Sequence, residues 1–433
     1  MKTNLTNAAT LNVDERSVKL DVLTGTMGER ALDMSTLKAQ TGCVAFDPAL
    51  TNTAVCRSAI TFVDGEKGIL RHRGYAIEDL AENCSFTEVA YLLILGKLPN
   101  QEQRQKFSRL LNSHSMLHED MISFFGKFPE GAHPMAVLSA MVVSLSSFYP
   151  ELHRASDSEE LDITVARLLS KLRTIAAFSY KKSIGEPFIY PSHRYSYCEN
   201  FLNMMFQSPV SLYQADAYDT AVMNKLLILH ADHEQNASTT AVRAVGSTLA
   251  NLYACISAGI CALWGPLHGG ANQAVTEMLE SILHEGFTVD QVIAKAKDKK
   301  SSFRLMGFGH RIYKAYDPRA RIAKQICKEI FERKKIKDPL MDVALELEER
   351  ALNDDYFQSR NLYPNVDFYT GLIYRALGFP KEMFTVLFAL GRLPGWIAHW
   401  QEMRQDPAQK LMRPRQIYTG PGPADYVPVE KRT

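Results

Sequence analysis

Signals for the start and end of helices recur along this chain from about residue 85 onward, and they restrict the fold class more than any other feature. Ser85 and Glu88 in S-F-T-E form a capping box ahead of the apolar run V-A-Y-L-L-I-L, and Gly96 follows as a stop. Asp317-Pro318 and Asp338-Pro339 each place an acceptor at the N-cap and proline at the first helical position. Apolar residues recur at helical spacing after both pairs. The sequence therefore predicts a mainly α-helical fold.

The N-terminal part shows a different pattern. Val18, Leu20 and Val22 alternate at period two, and Asp64-Gly65 forms a turn signal between two short apolar runs. These patterns predict a small β-rich region over roughly residues 15 to 75. The chain has 433 residues, enough for about two domains.

Composition excludes several classes of protein. The net charge of +1 argues against a nucleic-acid partner. The seven cysteines are scattered without zinc-site spacing, and their odd number fits reduced thiols better than a disulfide framework. The first 20 residues contain no apolar signal segment, so we expect a cytoplasmic protein. The most membrane-like stretch, residues 248–267, contains Asn251 and lacks basic flanks, which favours a buried helix over a membrane span.

His268 lies in the stretch W-G-P-L-H-G-G-A-N-Q, in a segment that carries no Asp, Glu, Lys or Arg from Val245 to Thr276. A histidine in such surroundings is either a structural residue bonded to a backbone carbonyl or a catalytic group. Gly269 and Gly270 allow a close backbone approach or a positive φ, and the helix that follows presents its N-terminal amides to an anion. The residues alone leave both interpretations open.

A second candidate segment is F-R-L-M-G-F-G-H-R-I-Y-K, residues 303–314. Its Gly-Phe-Gly resembles half of a dinucleotide-binding motif, but the third glycine and the preceding strand are missing, so we reject that fold. What remains is a loop that presents His310 close in sequence to several cations. Those cations are Arg304, Arg311, Lys314 and Arg319. Arginine suits the capture of carboxylate or phosphate.

Further candidate site residues lie in other segments of the chain. His230 and His233 in H-A-D-H-E can share a helical face and bind a metal, but no third ligand follows at a useful spacing, so substrate-binding or structural roles are favoured. Asp367 in P-N-V-D-F-Y-T-G is either a helix cap or a base with a raised pKa. Arg392 and Arg413 stand in uncharged or turn-like settings, where they suit a small polyanionic substrate.

Charge is concentrated in one block. Residues 295–337 contain 15 Lys or Arg against four Asp or Glu, a net charge of +11. The block is either a solvated helical face or a surface that receives a polyanion.

Taken together, these motifs resemble those of the citrate synthase family, in its larger bacterial (type II) form. The resemblance rests on G-P-L-H-G-G-A-N, G-F-G-H-R-I-Y-K-A-Y-D-P-R, P-N-V-D-F-Y-T-G, R-P-R-Q-I-Y-T-G and H-A-D-H-E-Q-N-A-S-T, and it covers nearly the whole chain. It implies an N-terminal β-rich region (1–75), a large helical domain (76–276 and 385–433) and a small helical domain (277–384).

The resemblance also implies residue roles. Asp367 would deprotonate the methyl group of acetyl-CoA, His268 would hydrogen-bond the thioester oxygen, and His310 would polarise the ketone of oxaloacetate. His233, Arg319, Arg392 and Arg413 would hold the two carboxylates. Arg304, Gly307, Gly309, Arg311 and Lys314 would contact coenzyme A. No cofactor or metal is implied, because acetyl-CoA is a substrate and histidines supply the electrophiles.

Family members of this type donate the arginine at the position of Arg413 from a neighbouring subunit, which implies a homodimer with shared sites and, in the larger form, a homohexamer. Many are inhibited by NADH at a remote site. The residues that match that site here are Tyr149, His114, Met116, Arg167 and Lys171. Ser113 replaces an arginine and Val210 a reactive cysteine, so we predict weak or absent NADH inhibition, although a nearby Arg173 would compensate.

Three alternatives remain at this point. A 2-methylcitrate synthase would use propionyl-CoA through the same residues, and one methylene is worth only about 1 to 3 kcal/mol of discrimination. A catalytically silent CoA-binding homologue is disfavoured because both histidines and the aspartate are present. A metal-dependent lyase would lose activity on chelation.

Overall fold

The computed structural model describes residues 8–150, 158–298, 300–301 and 303–432, and these residues form 18 α-helices. The helices of the first half are α1 (Leu37–Thr41), α2 (Ile77–Asn83), α3 (Phe86–Leu95), α4 (Gln101–Ser113), α5 (Glu119–Phe125), α6 (Pro134–Phe148), α7 (Ser158–Ser183), α8 (Tyr197–Phe206) and α9 (Ala217–Leu229). Those of the second half are α10 (Ala237–Gly246), α11 (Leu252–Leu263), α12 (Ala271–Glu285), α13 (Val289–Lys297), α14 (Pro318–Lys334), α15 (Pro339–Leu352), α16 (Asp355–Gln358), α17 (Val366–Ala376) and α18 (Phe384–Gln405). Short 3-10 turns span Lys381–Met383 and Val429–Lys431. The predicted mainly α-helical class is confirmed.

Six strands in the described part of the chain form two antiparallel sheets of three strands each. The first sheet contains β1 (Ala8–Val13), β2 (Arg16–Thr24) and β3 (Arg30–Leu32), and the second contains β4 (Thr61–Asp64), β5 (Ile69–His72) and β6 (Tyr75–Ala76). Val18, Leu20 and Val22 are buried along β2, as their alternation predicted. Asp64 ends β4 and Gly65 begins the connection to β5, where the Asp64 carboxylate accepts from the amides of Glu66 and Lys67.

The described residues divide into two compact units. The first contains residues up to Arg57 together with those from Met412 onward, and includes β1–β3 and α1. The second, Ser58–Leu411, contains the second sheet and α2–α18. The division of the helices into a large and a small domain at residues 276 and 385 stays a prediction.

Local capping signals account for the positions of several helices. Ser85 and Glu88 form the predicted reciprocal capping box of α3, and Gly96 ends that helix with φ 81°. The carboxylates of Asp317 and Asp338 accept backbone N–H groups at the starts of α14 and α15, each of which has proline in its first turn. These helices begin where the sequence predicted because a cap satisfies amides that the helix itself leaves without partners.

Helix α18 runs through the core of the second unit. Most of its residues from Phe384 to Trp400 are buried, which an amphipathic surface helix would not allow. Glycine permits close approach at two positions: a Cβ on Gly391 would lie 2.7 Å from His230 Cβ, and one on Gly395 would lie 2.5 Å from the Ala231 carbonyl oxygen. The turn that follows α9 is therefore packed directly against α18.

The stretch predicted to form a buried helix, residues 248–267, contains α11, which packs against α6, α10 and α18. A Cβ on Gly259 of α11 would lie 2.7 Å from Val242 and 3.2 Å from Trp396. None of the helices in the described residues combines the length and apolar character that crossing a bilayer requires.

Candidate active site

His268 lies in a tight turn between α11 and α12. Its amide donates to the Gly265 carbonyl at 2.9 Å, and the Gly269 amide donates to the Leu263 carbonyl at 2.8 Å. Neither Gly269 nor Gly270 adopts the positive φ that the sequence allowed as one of two possibilities. Glycine is required for space instead, since a Cβ on Gly269 would lie 2.5 Å from the Leu263 carbonyl oxygen.

The imidazole of His268 contacts a side chain rather than a backbone carbonyl. Its Nε2 lies 2.8 Å from the Ser238 hydroxyl oxygen, which also accepts the indole N–H of Trp396 at 3.1 Å. The single hydroxyl proton of Ser238 is therefore available to Nε2 or to the Asn236 side-chain oxygen at 2.7 Å. Burial, with smaller contributions from Arg392 and Arg311, lowers the pKa of His268 to about 3, so the ring is neutral.

The loop that carries His310 is held against the residues that precede α17. The Gly309 amide donates to the Tyr363 carbonyl at 2.8 Å, and the Asn365 amide donates to the Gly307 carbonyl at the same distance. Gly307 and Gly309 have φ values of 79° and 77°, and a Cβ on Gly307 would lie 2.7 Å from Val275. These contacts place His310 beside the start of α17.

The protonation state of His310 follows from its neighbours. The amides of Ile312 and Tyr313 both point at Nδ1, at 3.1 and 3.2 Å. Nδ1 must therefore accept, and the neutral ring carries its proton on Nε2. Burial is the main cause that lowers the pKa of His310 to about 4, and the Arg319 cation adds to it. His310 is thus a neutral hydrogen-bond donor through Nε2.

Asp367 lies in the first turn of α17, but it does not cap the helix. The cap is Asn365, whose side-chain oxygen accepts from the Asp367 amide at 3.0 Å. The Oδ1 atom of Asp367 is buried and has no hydrogen-bond partner among the described residues. Burial raises the pKa of this carboxyl to about 6, against the opposing effect of Arg319 and Arg392. Asp367 has the properties of a general base.

Arg319 is buried and orientated by an aspartate that the sequence indicated only as a helix cap. Its Nε and Nη2 donate to the two carboxylate oxygens of Asp317 at 3.1 and 2.8 Å. Asp317 therefore caps α14 and also fixes the guanidinium, an arrangement that keeps the pKa of Arg319 above its usual range despite the opposing effect of burial.

Arg392 on α18 is a buried cation with an unsatisfied donor. Its Nε donates to the His230 carbonyl at 2.6 Å, and its guanidinium lies 4.9 Å from the centre of the Phe388 ring. Its Nη1 is buried and has no partner among the described residues. Burial lowers the pKa of Arg392 to about 10, so the side chain remains charged at neutral pH. Such a group requires an anion.

The two histidines of H-A-D-H-E do not share a helical face, because α9 ends at Leu229 and both lie beyond it. His230 is structural, with its Nδ1 lying 2.7 Å from the Leu226 carbonyl oxygen. His233 lies in the site, with its ring centre 5.3 Å from that of His310 and its Nε2 3.2 Å from the Tyr313 hydroxyl. Within the described ranges, no group of three or more His, Cys, Asp or Glu side chains has a metal-binding arrangement.

A buried contact between Asp232 and His399 supports the turn that carries His233. Asp232 lies 3.2 Å from Nε2 of His399 on α18, and both side chains are fully buried. The sequence did not predict the contact between Asp232 and His399, nor the contacts that Ser238 and Tyr313 make in the site. Each lies inside or beside a recognised motif, but its contact is made with a residue distant in the chain.

The remaining candidates lie in more exposed positions. Arg304, Arg311 and Lys314 are exposed, and Lys314 pairs with Glu66 at 2.6 Å. Arg311 is near enough to His268 to lower its pKa. Other members of the basic block also pair with carboxylates, as in Lys324–Glu348 at 2.7 Å, so part of the block's charge is neutralised internally. Arg413 is exposed and belongs to the first compact unit.

The candidate allosteric residues lie together. The guanidinium of Arg167 and the ammonium of Lys171 lie 4.3 and 5.2 Å from the centre of the Tyr149 ring. Lys171 also donates to the Met116 carbonyl. The pKa of His114 is lowered mainly by burial and further by the charges of Arg167 and Lys171.

Two neighbours of this group bear on the predicted loss of NADH binding. The Ser113 hydroxyl donates back to its own helix, to the carbonyls of Arg109 and Leu110. Arg173 does not join the group: it packs on Tyr197, with its guanidinium 4.6 Å from that ring. Because residues 171 and 173 point to different sides of α7, the contacts of Arg173 do not favour the compensation that the sequence suggested.

The second unit thus brings together two neutral histidines, a base with a raised pKa and two buried arginines. The family model described as the citrate synthase C-terminal domain matches residues 49–415. The chain belongs to the citrate synthase family. It is an enzyme that condenses acetyl-CoA with oxaloacetate and water to give citrate and CoA, the entry step of the tricarboxylic acid cycle. The alternative of a 2-methylcitrate synthase, which would prefer propionyl-CoA, is not favoured.

Proteins of similar sequence and structure support this assignment to the citrate synthase family. The chain is 53% identical over 426 residues to citrate synthase 1 of Mycobacterium tuberculosis, in strains CDC 1551 / Oshkosh and H37Rv, covering 98% of this chain and 99% of that protein. Among solved structures, citrate synthase from Pyrobaculum aerophilum has a TM-score of 0.81 at 33% identity, covering 95% of this chain and 97% of that one. The Thermoplasma acidophilum enzyme, solved with carboxymethyl coenzyme A and oxaloacetate, has a TM-score of 0.82 at 32% identity, covering 90% and 100%.

Proposed function

We propose that Asp367, His268 and His310 carry out the condensation in the site formed by α10, α12, α17 and α18. The observation that carries this proposal is the carboxylate of Asp367, whose Oδ1 is buried without a partner among the described residues and whose pKa is raised to about 6. A methyl group next to a thioester is a very weak acid, so its deprotonation requires a desolvated base and a donor at the thioester oxygen.

In the first step, the Asp367 carboxylate takes a proton from the acetyl methyl group, and the C–H electrons form the enol or enolate. His268 stabilises it by a hydrogen bond to the thioester oxygen. When Ser238 donates to Nε2 of His268, the neutral ring carries its proton on Nδ1, which is then the donor. This arrangement requires the Ser238 proton to turn away from the Asn236 side-chain oxygen, which can only accept and lies 2.7 Å from the hydroxyl.

In the second step, the enol carbon attacks the ketone carbon of oxaloacetate. The carbonyl electrons become an alkoxide, which receives the Nε2 proton of His310. Water then hydrolyses the citryl thioester and releases CoA. The neutral state of His310 supports this role, because a neutral donor polarises the ketone before charge develops.

The buried arginines of the site are suited to bind the two carboxylates of oxaloacetate. The unsatisfied Nη1 of Arg392 requires an anionic acceptor, and Arg319 is held by Asp317 in a fixed orientation. His233 completes the group beside His310. Arg304, Gly307, Gly309, Arg311 and Lys314 stay our proposal for contacts with coenzyme A. The proposal requires no metal ion, because the histidines supply the electrophiles.

A thiol-release assay tests the function directly. We expect CoA release from acetyl-CoA and oxaloacetate to exceed release from propionyl-CoA and oxaloacetate, and to survive exhaustive chelation of metals. A higher kcat/KM with propionyl-CoA would support the 2-methylcitrate alternative, and loss of activity on chelation would support a metal-dependent lyase.

We also propose that Arg413 serves the active site of a neighbouring subunit, with a dimer as the minimum active unit and a homohexamer as the larger assembly. Mixing Arg413→Leu with Asp367→Asn subunits should restore some activity, because one site of a hybrid dimer then contains both residues intact. No recovery despite demonstrated subunit exchange would show that Arg413 acts within its own subunit.

A cytoplasmic location stays a prediction. None of the seven cysteines, all of them in the described residues, forms a disulfide bond.

For NADH, we expect weak or absent inhibition. The arginine that Ser113 replaces would supply a charge-assisted contact worth about 1.5 to 3 kcal/mol, or roughly 10- to 150-fold in affinity. The Ser113 hydroxyl is occupied within α4. The variant Ser113→Arg should strengthen inhibition, and Ser108→Arg, at an exposed position of the same helix, serves as the control. Half-inhibition of the unmodified enzyme by low-micromolar NADH would contradict this prediction.

A further inference from the structure

One face of α17 carries a row of polar groups behind the proposed base. Asp367, Thr370 and Tyr374 follow one another at spacings of three and four residues, so their side chains lie on the same side of the helix. Thr370 and Tyr374 are fully buried. The reaction described above uses only Asp367, so the two hydroxyl groups need a separate explanation.

Each member of this row has a buried polar atom without a hydrogen-bond partner among the described residues. These atoms are Oδ1 of Asp367, the hydroxyl of Thr370 and the hydroxyl of Tyr374. The side-chain nitrogen of Asn272, in the first turn of α12, is in the same state. Nearly all buried polar groups in proteins are hydrogen-bonded, so three unpartnered donors on the helix face of Asp367 and on α12 indicate a common purpose.

The packing of α12 against α17 brings these groups together. A Cβ on Gly371, in the middle of the same face, would lie 3.0 Å from the Asn272 carbonyl oxygen and 2.5 Å from the Thr276 hydroxyl. The two helix backbones are thus in direct contact one turn beyond Asp367. The hydroxyl of Tyr374 is also within the electrostatic reach of Asp367: burial first, and then the charge of Asp367, raises the pKa of Tyr374.

We propose that Thr370, Tyr374 and Asn272 are positioning residues for the Asp367 carboxylate, donating to its buried Oδ1 through bound water molecules. A hydroxyl or amide donor favours the ionised form of a carboxylate and limits its rotation. The row therefore keeps the base ionised at neutral pH and leaves Oδ2 directed at the substrate. The inference rests on the proposed role of Asp367 as the base.

Tyr369 provides a matched control on the same helix. It is also a buried tyrosine, but its hydroxyl donates to Glu348 at 2.5 Å and lies 3.3 Å from the Tyr316 hydroxyl. Two residues after Asp367, it points to the other side of α17. Removal of its hydroxyl tests the general cost of losing a buried phenol from this helix.

The experiment measures kcat/KM for acetyl-CoA at saturating oxaloacetate between about pH 5 and pH 8.5. In the unmodified enzyme we expect the acidic limb near pH 6, where Asp367 is protonated. Tyr374→Phe and Thr370→Val should each move that limb upward by about half a pH unit to one unit, which lowers kcat/KM by roughly 3- to 10-fold at pH 5 but by no more than about 2-fold at pH 7. The KM for oxaloacetate should stay unchanged.

Conservative variants and the control decide the interpretation. Thr370→Ser keeps the hydroxyl and should keep the original limb, and Tyr369→Phe should not move it. An unshifted limb in both Tyr374→Phe and Thr370→Val would overturn the inference, as would a rate loss that is equal at every pH. Asp367→Asn separates the two proposals: if it stays active, the proposed base is wrong, whereas an inactive Asp367→Asn beside an unshifted Tyr374→Phe refutes only the positioning role.

Discussion

Replacing Asp367 by asparagine is expected to lower kcat for condensation by about 100-fold or more, because an amide of similar shape cannot accept the methyl proton. Oxaloacetate binding should remain nearly intact, since Asp367 acts on the acetyl partner. The measurement is thiol release at saturating substrates, combined with direct titration of oxaloacetate into the variant.

The same variant should be more stable than the unmodified enzyme at neutral pH. Because the pKa of folded Asp367, about 6, lies above its unfolded value of 3.8, protonation of this group favours folding. That contribution is fully present below the unfolded pKa and is lost as the pH rises through the folded pKa. Asparagine removes the buried charge, and we expect the free energy of unfolding at pH 7 to rise by roughly 1 to 3 kcal/mol.

Asp355→Asn is the matched control, since Asp355 also lies in the first turn of a helix but is exposed. It should change neither kcat nor stability appreciably. An Asp367→Asn enzyme that is folded and turns over at a near-normal rate would remove Asp367 from the mechanism.

Replacing Arg392 by leucine is expected to raise the KM for oxaloacetate by roughly 30-fold or more, because truncation of a buried, hydrogen-bonded charge pair typically costs about 2 to 5 kcal/mol. The KM for acetyl-CoA should change far less. Because the Nη1 of Arg392 is unsatisfied in the described structure, the loss of this buried cation should not weaken folding strongly.

Arg404→Leu is the control for this prediction, since Arg404 lies on the same helix but is exposed. Initial rates with each substrate varied in turn separate the two KM values, and thermal unfolding measures stability. An unchanged KM for oxaloacetate would exclude Arg392 from carboxylate binding. A comparable rise in both KM values would indicate a general distortion of the site.

The local structure of this protein followed from local sequence. The capping box at Ser85, the Asp-Pro starts of α14 and α15 and the alternation in β2 were predicted correctly. The caps depend on contacts within about four residues along the chain and the β2 pattern repeats every two residues, so spacing is sufficient to identify them. The candidate residues of the site could be named for a similar reason, because histidine and arginine are conspicuous in uncharged or turn-like segments.

The chemical state of those residues was decided only by tertiary structure. The sequence left Asp367 either as a helix cap or as a base, and the choice depends on Asn365 taking the cap and on burial of Oδ1. It left His268 either structural or catalytic, and the contact that distinguishes them comes from Ser238 on α10. It allowed Gly269 either a close approach to a ligand or a positive φ, whereas the structure requires glycine there for space against Leu263.

The physical reason for this difference is the range of the interactions. A cap or an apolar stripe acts over one or two helical turns and is written in consecutive residues. Desolvation, which raises the pKa of Asp367 and lowers those of His268 and His310, depends on how completely segments distant in sequence exclude water. The sequence determined which groups are available for chemistry, and the packing of α12, α17 and α18 determined which of them are neutral, which are charged and which lack a partner.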